Sequence, residues 1–303
     1  MAFLRHLRGI IVFTGLTLNT FLWFVPLFSL AIVKLWLPVP PLRRGMTRVL
    51  MLVGESWVAC NRLILAGGGA TQWQAADIDG LRSDGWYLVI SNHQTWVDIV
   101  VLQTAFNRRI PFLKFFIKQE LVWFPLLGVA WWALDMPFMK RYTPSYLAKH
   151  PEKKGKDLVI TRKACEKFRN TPTSVINFIE GTRFSEAKRE SRSSPYRHLL
   201  SPRSGGIATA LSSMGELFDS MLDVTIHYPL GVPKFWELCC GRKVPVSLGV
   251  IQRQIPAEII AGDYQNDRGF RREMHVWLGE IWTEKDLRIA RLRGDSQSSA
   301  RVA

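Results

Sequence analysis

The chain has 303 residues and a formal net charge of +15, enough for one sizeable domain and an appendage. It is 48% hydrophobic with 12 Trp and 17 Phe, and its mean hydropathy is +0.04, which is greasy for a soluble enzyme yet too polar for a multi-span transporter. An isoelectric point near 10.0 implies an anionic partner, whether a membrane surface, nucleic acid, or a phosphorylated or acidic-carrier substrate.

Residues 1–8 are short and basic, with Arg5, His6 and Arg8, and 9–33 then run without a charge. That run is long enough to cross a hydrocarbon core and too long for a signal peptide, with no small-residue cleavage site after it. Asn19 and Pro26 interrupt it, and cations flank both ends, Lys34, Arg43 and Arg44 lying beyond it. A single span should show a positive-inside bias, and cations on both flanks do not give one. A dip into one leaflet and a plain span are both open. After the breaker Leu37-Pro38-Val39-Pro40-Pro41, a second helix is expected over 45–66. Its polar residues Arg48, Glu55 and Arg62 recur every seven positions, a narrow stripe suited to a membrane interface or to pairing with the first segment. Gly67-Gly68-Gly69 closes it. This places a membrane-associated two-helix region at 1–68, a catalytic domain at 69–292 and a disordered tail at 293–303.

From Thr71 onward short apolar runs alternate with helical patterns, as βα units do. The expected strands are 86–91, 134–139, 174–179, 222–228 and 245–251. The expected helices are 98–106, 118–132, 156–168, 205–214 and 270–289. Cys60, Cys165, Cys239 and Cys240 show neither metal-ligand spacing nor a disulfide pattern, so free thiols in a reducing compartment are expected.

Asn92-His93-Gln94-Thr95-Trp96-Val97-Asp98 follows the buried-strand pattern of 86–91 and opens a helix. On one continuous helix, residues five apart lie about 140° around the axis and cannot share a proton. At a strand-to-helix turn they can. The imidazole of His93 then donates one N–H to Asp98, and its other nitrogen is free to take a proton from a hydroxyl. Taken alone, such a pair is more often an ordinary hydrogen-bonded histidine at a sheet edge. Further along lie Phe116-Ile117-Lys118-Gln119-Glu120-Leu121, Phe138-Met139-Lys140-Arg141, Phe178-Ile179-Glu180-Gly181-Thr182-Arg183 and Val224-Thr225-Ile226-His227-Tyr228-Pro229. In open βα sheets ligands gather at the carboxyl ends of strands, where Lys118, Arg141 and Arg183 are expected. Three cations around one histidine suit a phosphate-bearing substrate.

In this order, these segments resemble the motif blocks of the glycerolipid acyltransferases, within which the match is to 1-acyl-sn-glycerol-3-phosphate acyltransferases. Pro202-Arg203-Ser204-Gly205-Gly206 is similar to the lysocardiolipin acyltransferase-like branch. Lys140 stands where many members carry an acidic residue, and His227 where a small or apolar one is common. The resemblance implies an α/β fold, a mixed sheet flanked by helices, with an N-terminal helical membrane element. It implies O-acyl transfer from an acyl thioester, carried by coenzyme A or acyl carrier protein, to the sn-2 hydroxyl of lysophosphatidic acid. Another lysophospholipid, such as lysocardiolipin, is the alternative acceptor. His93 and Asp98 are the implied catalytic pair, and Lys118, Arg141, Glu180, Gly181, Thr182 and Arg183 the implied substrate-binding residues. Glu180 has an equally good structural role as a hydrogen-bond acceptor. No metal or other cofactor is called for. The expected setting is an anionic membrane, the cell inner membrane with the catalytic domain on its cytoplasmic face, and no nucleic acid.

Two other classes compete. A metal-dependent hydrolase needs more ligands than His93 and Asp98, and His6, His150, His198, His227 and His275 lack ligand spacing. A non-catalytic basic protein bound to membrane or nucleic acid explains the charge but not the ordered motifs.

Overall fold

A computed structural model describes residues 2–37, 39–70, 73, 78–124, 127–139 and 156–294. Two long helices come first, α1 (Ala2–Trp36) and α2 (Pro40–Gly67). They pair as an antiparallel hairpin about 50 Å long at 1.5 Å rise per residue. Pro26 sits inside α1 without ending it. The chain turns only at 37–39, and Pro40 opens α2 at a position where its missing N–H costs nothing. Asn19 bonds the carbonyl of Trp57 at 3.2 Å and the Asn61 side chain at 2.9 Å, so its amide is satisfied between the helices. Glu55 turns to the domain and pairs with Arg108 at 3.7 Å. Of the polar stripe on α2, Glu55 serves packing, while Arg48 and Arg62 are exposed.

The remaining elements are β1 (Trp86–Ser91), α3 (Val97–Phe106), β2 (Leu113–Phe115), β3 (Ile117–Lys118), α4 (Leu127–Ala133), β4 (Phe138–Met139), α5 (Lys156–Cys165) and β5 (Thr173–Phe178). They continue with α6 (Glu186–Ser191), α7 (Ser204–Met214), β6 (Ser220–His227), α8 (Phe235–Cys239), β7 (Ser247–Arg253), α9 (Ala257–Ala261) and α10 (Arg268–Arg293). The main sheet has the order β2-β5-β1-β6-β7. β1 runs parallel to β5 and β6, and β7 closes the edge antiparallel to β6. A mixed sheet flanked by helices, with two apolar helices before it, is the architecture the sequence implied.

Strand β1 shows why the sheet is buried on both sides. Tyr87 and Val89 enter one core, with Val101, Leu102 and Val224. Leu88 and Ile90 enter the other, with Ile207, Met274 and Trp282. Side chains alternate across a strand, so a continuous apolar run feeds two cores at once. The hairpin belongs to the first side and α10 to the second. A third cluster, Leu27, Ala31, Leu50, Val58, Phe112, Leu134 and Met136, seals the hairpin onto the domain.

The hairpin meets the domain at both of its ends. Near its start, a Cβ on Gly9 would lie 2.6 Å from the Cys240 sulfur, so only glycine permits this approach. At its tip, Lys34 pairs with Asp135 at 2.7 Å and Thr47 donates to the same carboxylate at 3.2 Å. Its outer side leaves Leu22, Val25, Phe28 and Ile32 exposed. Both helices are long and apolar enough to cross a membrane.

Two expectations fail. The helix over 118–132 is instead β3, a 3-10 turn at Gln119–Trp123 and α4. The strand over 134–139 shrinks to β4, because residues 134–135 form a turn with Asp135 at φ 55°. Apolar residues run through 121–139 with no clear period, and Pro125 disfavours helix before it. α10 ends at Gly294 in the left-handed conformation, and the expected disordered tail otherwise lies outside the described residues.

Candidate active site

The carboxyl ends of β1, β5 and β6 meet at one edge of the sheet, and the candidate residues collect there. The turn after β1 is pinned to β6 by Asn92, whose side chain accepts from Ile226 N and donates to Ile226 O, both at 2.9 Å. His93 Nδ1 and Asp98 Oδ2 are 2.8 Å apart. Asp98 is fully buried at the start of α3. The same oxygen accepts from the backbone N–H of Gln94 at 2.5 Å and of Thr95 at 2.9 Å. Its second oxygen accepts from the Tyr228 hydroxyl at 2.6 Å. With four donors on it, the carboxylate cannot rotate away from the imidazole.

This geometry sets the tautomer. Nδ1 carries the proton toward Asp98, and Nε2 has no protein partner among the described residues. The ring stacks on Phe178 at 4.0 Å between centroids and keeps 12% of its side-chain surface exposed. Such an imidazole can accept a proton from a bound hydroxyl and hold it while Asp98 stabilises the cation.

Glu180 is fully buried. Its two oxygens accept from His93 N at 2.8 Å and from Leu200 N at 2.9 Å. Burial pushes its carboxyl up to about 7 against those two donors and Lys285. Of the two roles open for Glu180, the geometry supports the structural one, a clamp between the His93 turn and the 199–203 loop. Gly181 follows at φ 68°, where a side chain would be strained and would also meet Arg203. Phe184 N donates to His93 O at 2.7 Å, which lays the 181–183 turn against the histidine. The Arg183 guanidinium sits 5.0 Å over the Trp96 ring. Thr182 accepts at 2.9 Å from Lys188, which also donates to Arg183 O. Lys118 lies on β3, its side chain outside the described residues, and Arg141 falls wholly outside them.

An apolar cavity of about 610 Å³ lies between the hairpin and the domain, lined by Phe21, Phe24, Trp57, Trp96, Phe115 and Met136 among others. Its wall is linked to the histidine by two rings, since Phe115 stacks on Phe178 at 6.4 Å and Phe178 on His93.

A sequence-family profile described as Acyltransferase matches residues 74–229, just over half of the chain. The chain belongs to the acyltransferase family. Among curated relatives, human 1-acyl-sn-glycerol-3-phosphate acyltransferase delta is 26% identical over 213 residues, covering 66% of this chain and 51% of the relative. The mouse gamma form is 26% identical over 212 residues with the same coverage. The chain spans about half the length of the curated relatives it matches. The fold resembles that of the 1-acyl-sn-glycerophosphate (LPA) acyltransferase PlsC from Thermotoga maritima. That crystal structure aligns with a TM-score of 0.55 at 15% identity, covering 97% of this chain and 99% of that one.

The sequence motifs do not reveal Tyr228, which lies 130 residues from Asp98 and carries only the signal of an aromatic residue closing a buried strand before Pro229. Burial and the neighbouring Asp98 push its hydroxyl far above the usual range, so it remains a donor. Tyr228→Phe leaves Asp98 with one donor fewer, so the carboxylate is held less firmly against His93. The expected result is a fall in kcat of about tenfold, as for one charge-assisted hydrogen bond, with a Tm drop of only a few degrees. A variant with unchanged kcat contradicts this positioning role.

Proposed function

We propose that this protein transfers a fatty acyl group from an acyl thioester to the sn-2 hydroxyl of lysophosphatidic acid, forming phosphatidic acid. The observation that carries this reading is His93, tied through Nδ1 to buried Asp98 and joined by stacked rings to an apolar cavity. The acyltransferase family match and the printed activities of the curated relatives support it.

The step runs as follows. The acceptor hydroxyl gives its proton to His93 Nε2, and its oxygen attacks the thioester carbonyl. Asp98 stabilises the imidazolium. The tetrahedral intermediate collapses, breaking the carbon–sulfur bond, and the departing thiolate recovers the proton from His93. No protein nucleophile is used. Gly181 N–H is taken by Phe178 O, and those of Gln94 and Thr95 by Asp98. The N–H groups of Thr182 and Arg183 have no partner among the described residues and suit the oxyanion. The acyl chain fills the apolar cavity. Arg183, beside Trp96 at the cavity's rim, suits the acceptor phosphate, as do Lys118 and Arg141.

The test is an acyl-transfer assay with membranes containing the protein, a labelled acyl thioester and a panel of lysophospholipids. Lysophosphatidic acid should be the best acceptor. Arg183→Ala should raise its KM about tenfold or more, the value of a charge-assisted contact to phosphate, and leave the donor KM nearly unchanged. A rise in the donor KM alone refutes the assignment.

We also infer that the hairpin lies in the cytoplasmic leaflet of the cell inner membrane. It exposes Leu22, Val25, Phe28 and Ile32 of α1, and both its ends hold the domain through Gly9 and Cys240 and through Lys34 and Asp135. A helix crossing the bilayer would separate those two contacts by the whole hydrocarbon core. Single cysteines at positions 3 and 42 in a cysteine-free background should both resist a membrane-impermeant maleimide on intact cells. Labelling of position 3 from outside, with position 42 protected, rules the dip out.

A further inference from the structure

A second cavity, about 410 Å³, lies at the end of α10 and has the opposite character. It is lined by Glu186 and Arg189 of α6, by Arg197 and His198, and by Arg293 at the end of α10. Three guanidinium groups face one carboxylate there. Arg189 is braced by Glu186 at 2.7 Å, and Arg293 donates to His198 Nδ1 at 2.8 Å. Asp286 accepts the backbone N–H of Arg197 at 3.0 Å and of His198 at 2.8 Å, which fixes the loop carrying both.

Three chain paths tie this cavity to His93. Phe184, bonded to His93 O at 2.7 Å, is two residues from Glu186, at most roughly 7 Å of chain. Leu200, bonded through Glu180 to His93 N, is two residues from His198. His227 follows Ile226, which Asn92 and Gln94 hold. Burial and then the nearby Arg293 and His198 depress the His227 imidazole, so those two groups sit close to the end of β6.

The His93 turn is thus tied to an apolar cavity on the hairpin side and to a basic one on the α10 side. One reactant of the proposed reaction has matching ends, a hydrocarbon chain and a cluster of phosphates joined by a long polar arm with the thioester between. We propose that the basic cavity takes the phosphate groups of a coenzyme A thioester while its acyl chain occupies the apolar cavity. This rests on the acyl-transfer reading above and names its donor. Arginine suits the role because its planar fork matches phosphate oxygens in pairs. The donor lies across the sheet edge, and the lysophospholipid reaches His93 from the membrane side.

The experiment compares the full-length protein with its Arg197→Glu Arg293→Glu variant. Palmitoyl-coenzyme A, S-palmitoyl-pantetheine (which lacks the phosphates) and lysophosphatidic acid are varied in turn. The KM for palmitoyl-coenzyme A should rise at least about tenfold, as expected for lost charge-assisted contacts. The rise for the pantetheine thioester should be several times smaller, and the acceptor KM should stay within about twofold. Adenosine 3′,5′-bisphosphate should bind the wild type in equilibrium dialysis, and at least about tenfold more weakly the variant. The proposal is overturned if both thioesters suffer equally, if the acceptor KM rises instead, or if the wild type uses acyl carrier protein and not coenzyme A thioesters. A wild type that transfers from no thioester sinks the acyl-transfer reading, and the dialysis then still decides whether the cavity takes a nucleotide phosphate.

Discussion

His93→Ala should lower acyl transfer by about 10²–10⁴-fold, the usual value of a positioned general base, and leave the protein folded and on the membrane. The ring is in place for this because Asp98 holds Nδ1 at 2.8 Å and Phe178 stacks against it. Removing it costs the sheet edge little, since the turn is pinned by Asn92 and by the backbone of residue 93 bonding Glu180 and Phe184. Asp98→Ala should cost a comparable factor in rate, with a larger loss of stability, because Gln94 N, Thr95 N and the Tyr228 hydroxyl are then left without their acceptor. A His93→Ala protein with more than about a tenth of the wild-type turnover rules out general-base catalysis as the main contribution.

The second large effect is on folding. Asp223, fully buried on β6, pairs with Lys285 of α10 at 2.5 Å and with Arg253 at 3.0 Å, and lies 3.6 Å from Arg288. Lys285 is itself fully buried and donates to Val224 O. Burial works against ionising Asp223, but Lys285, Arg288 and Arg253 outweigh it and hold the carboxyl below its usual range. Asp223→Leu strands a buried ammonium and should destabilise the fold by about 3–5 kcal/mol, read from urea unfolding. Adding Lys285→Met should recover most of that loss, since an apolar pair of similar size avoids both desolvation costs. A double variant no more stable than the single one shows that the pair is not what β6 and α10 depend on.

The central strand was legible because β1 is a run of apolar residues whose bounds coincide with the expected 86–91. β5, β6 and β7 lie within two residues of their expected starts and ends. Strands β2, β3 and β4 are two or three residues long, too short for alternation to show, so β2 and β3 were missed and β4 overextended. The His93–Asp98 contact followed from spacing at a strand-to-helix turn. Tyr228 did not, because its partner is remote in sequence and no local pattern links an aromatic strand end to a carboxylate. Glu180 shows the converse. Its motif was plain, but only burial and two backbone N–H contacts favour a clamp over a substrate ligand.

The sheet order also dictates a timetable for assembly. β1 sits at the centre, yet its partners are β5 and β6, so residue 87 pairs with residues 174 and 220. No part of the main sheet can close until most of the chain has been synthesised, and pairings of such long range are slow to form. The hairpin needs only its first 67 residues and leaves the ribosome well before. On the membrane placement proposed above, its apolar helices would meet the lipid while the remainder is still an open chain. On that placement the domain would mature against a surface already in place, with the Asp135–Lys34 pair joining the anchored part to the folding one. A chain released into water without a membrane would expose those helices throughout that delay, which makes aggregation the expected fate of the protein synthesised without lipid or detergent.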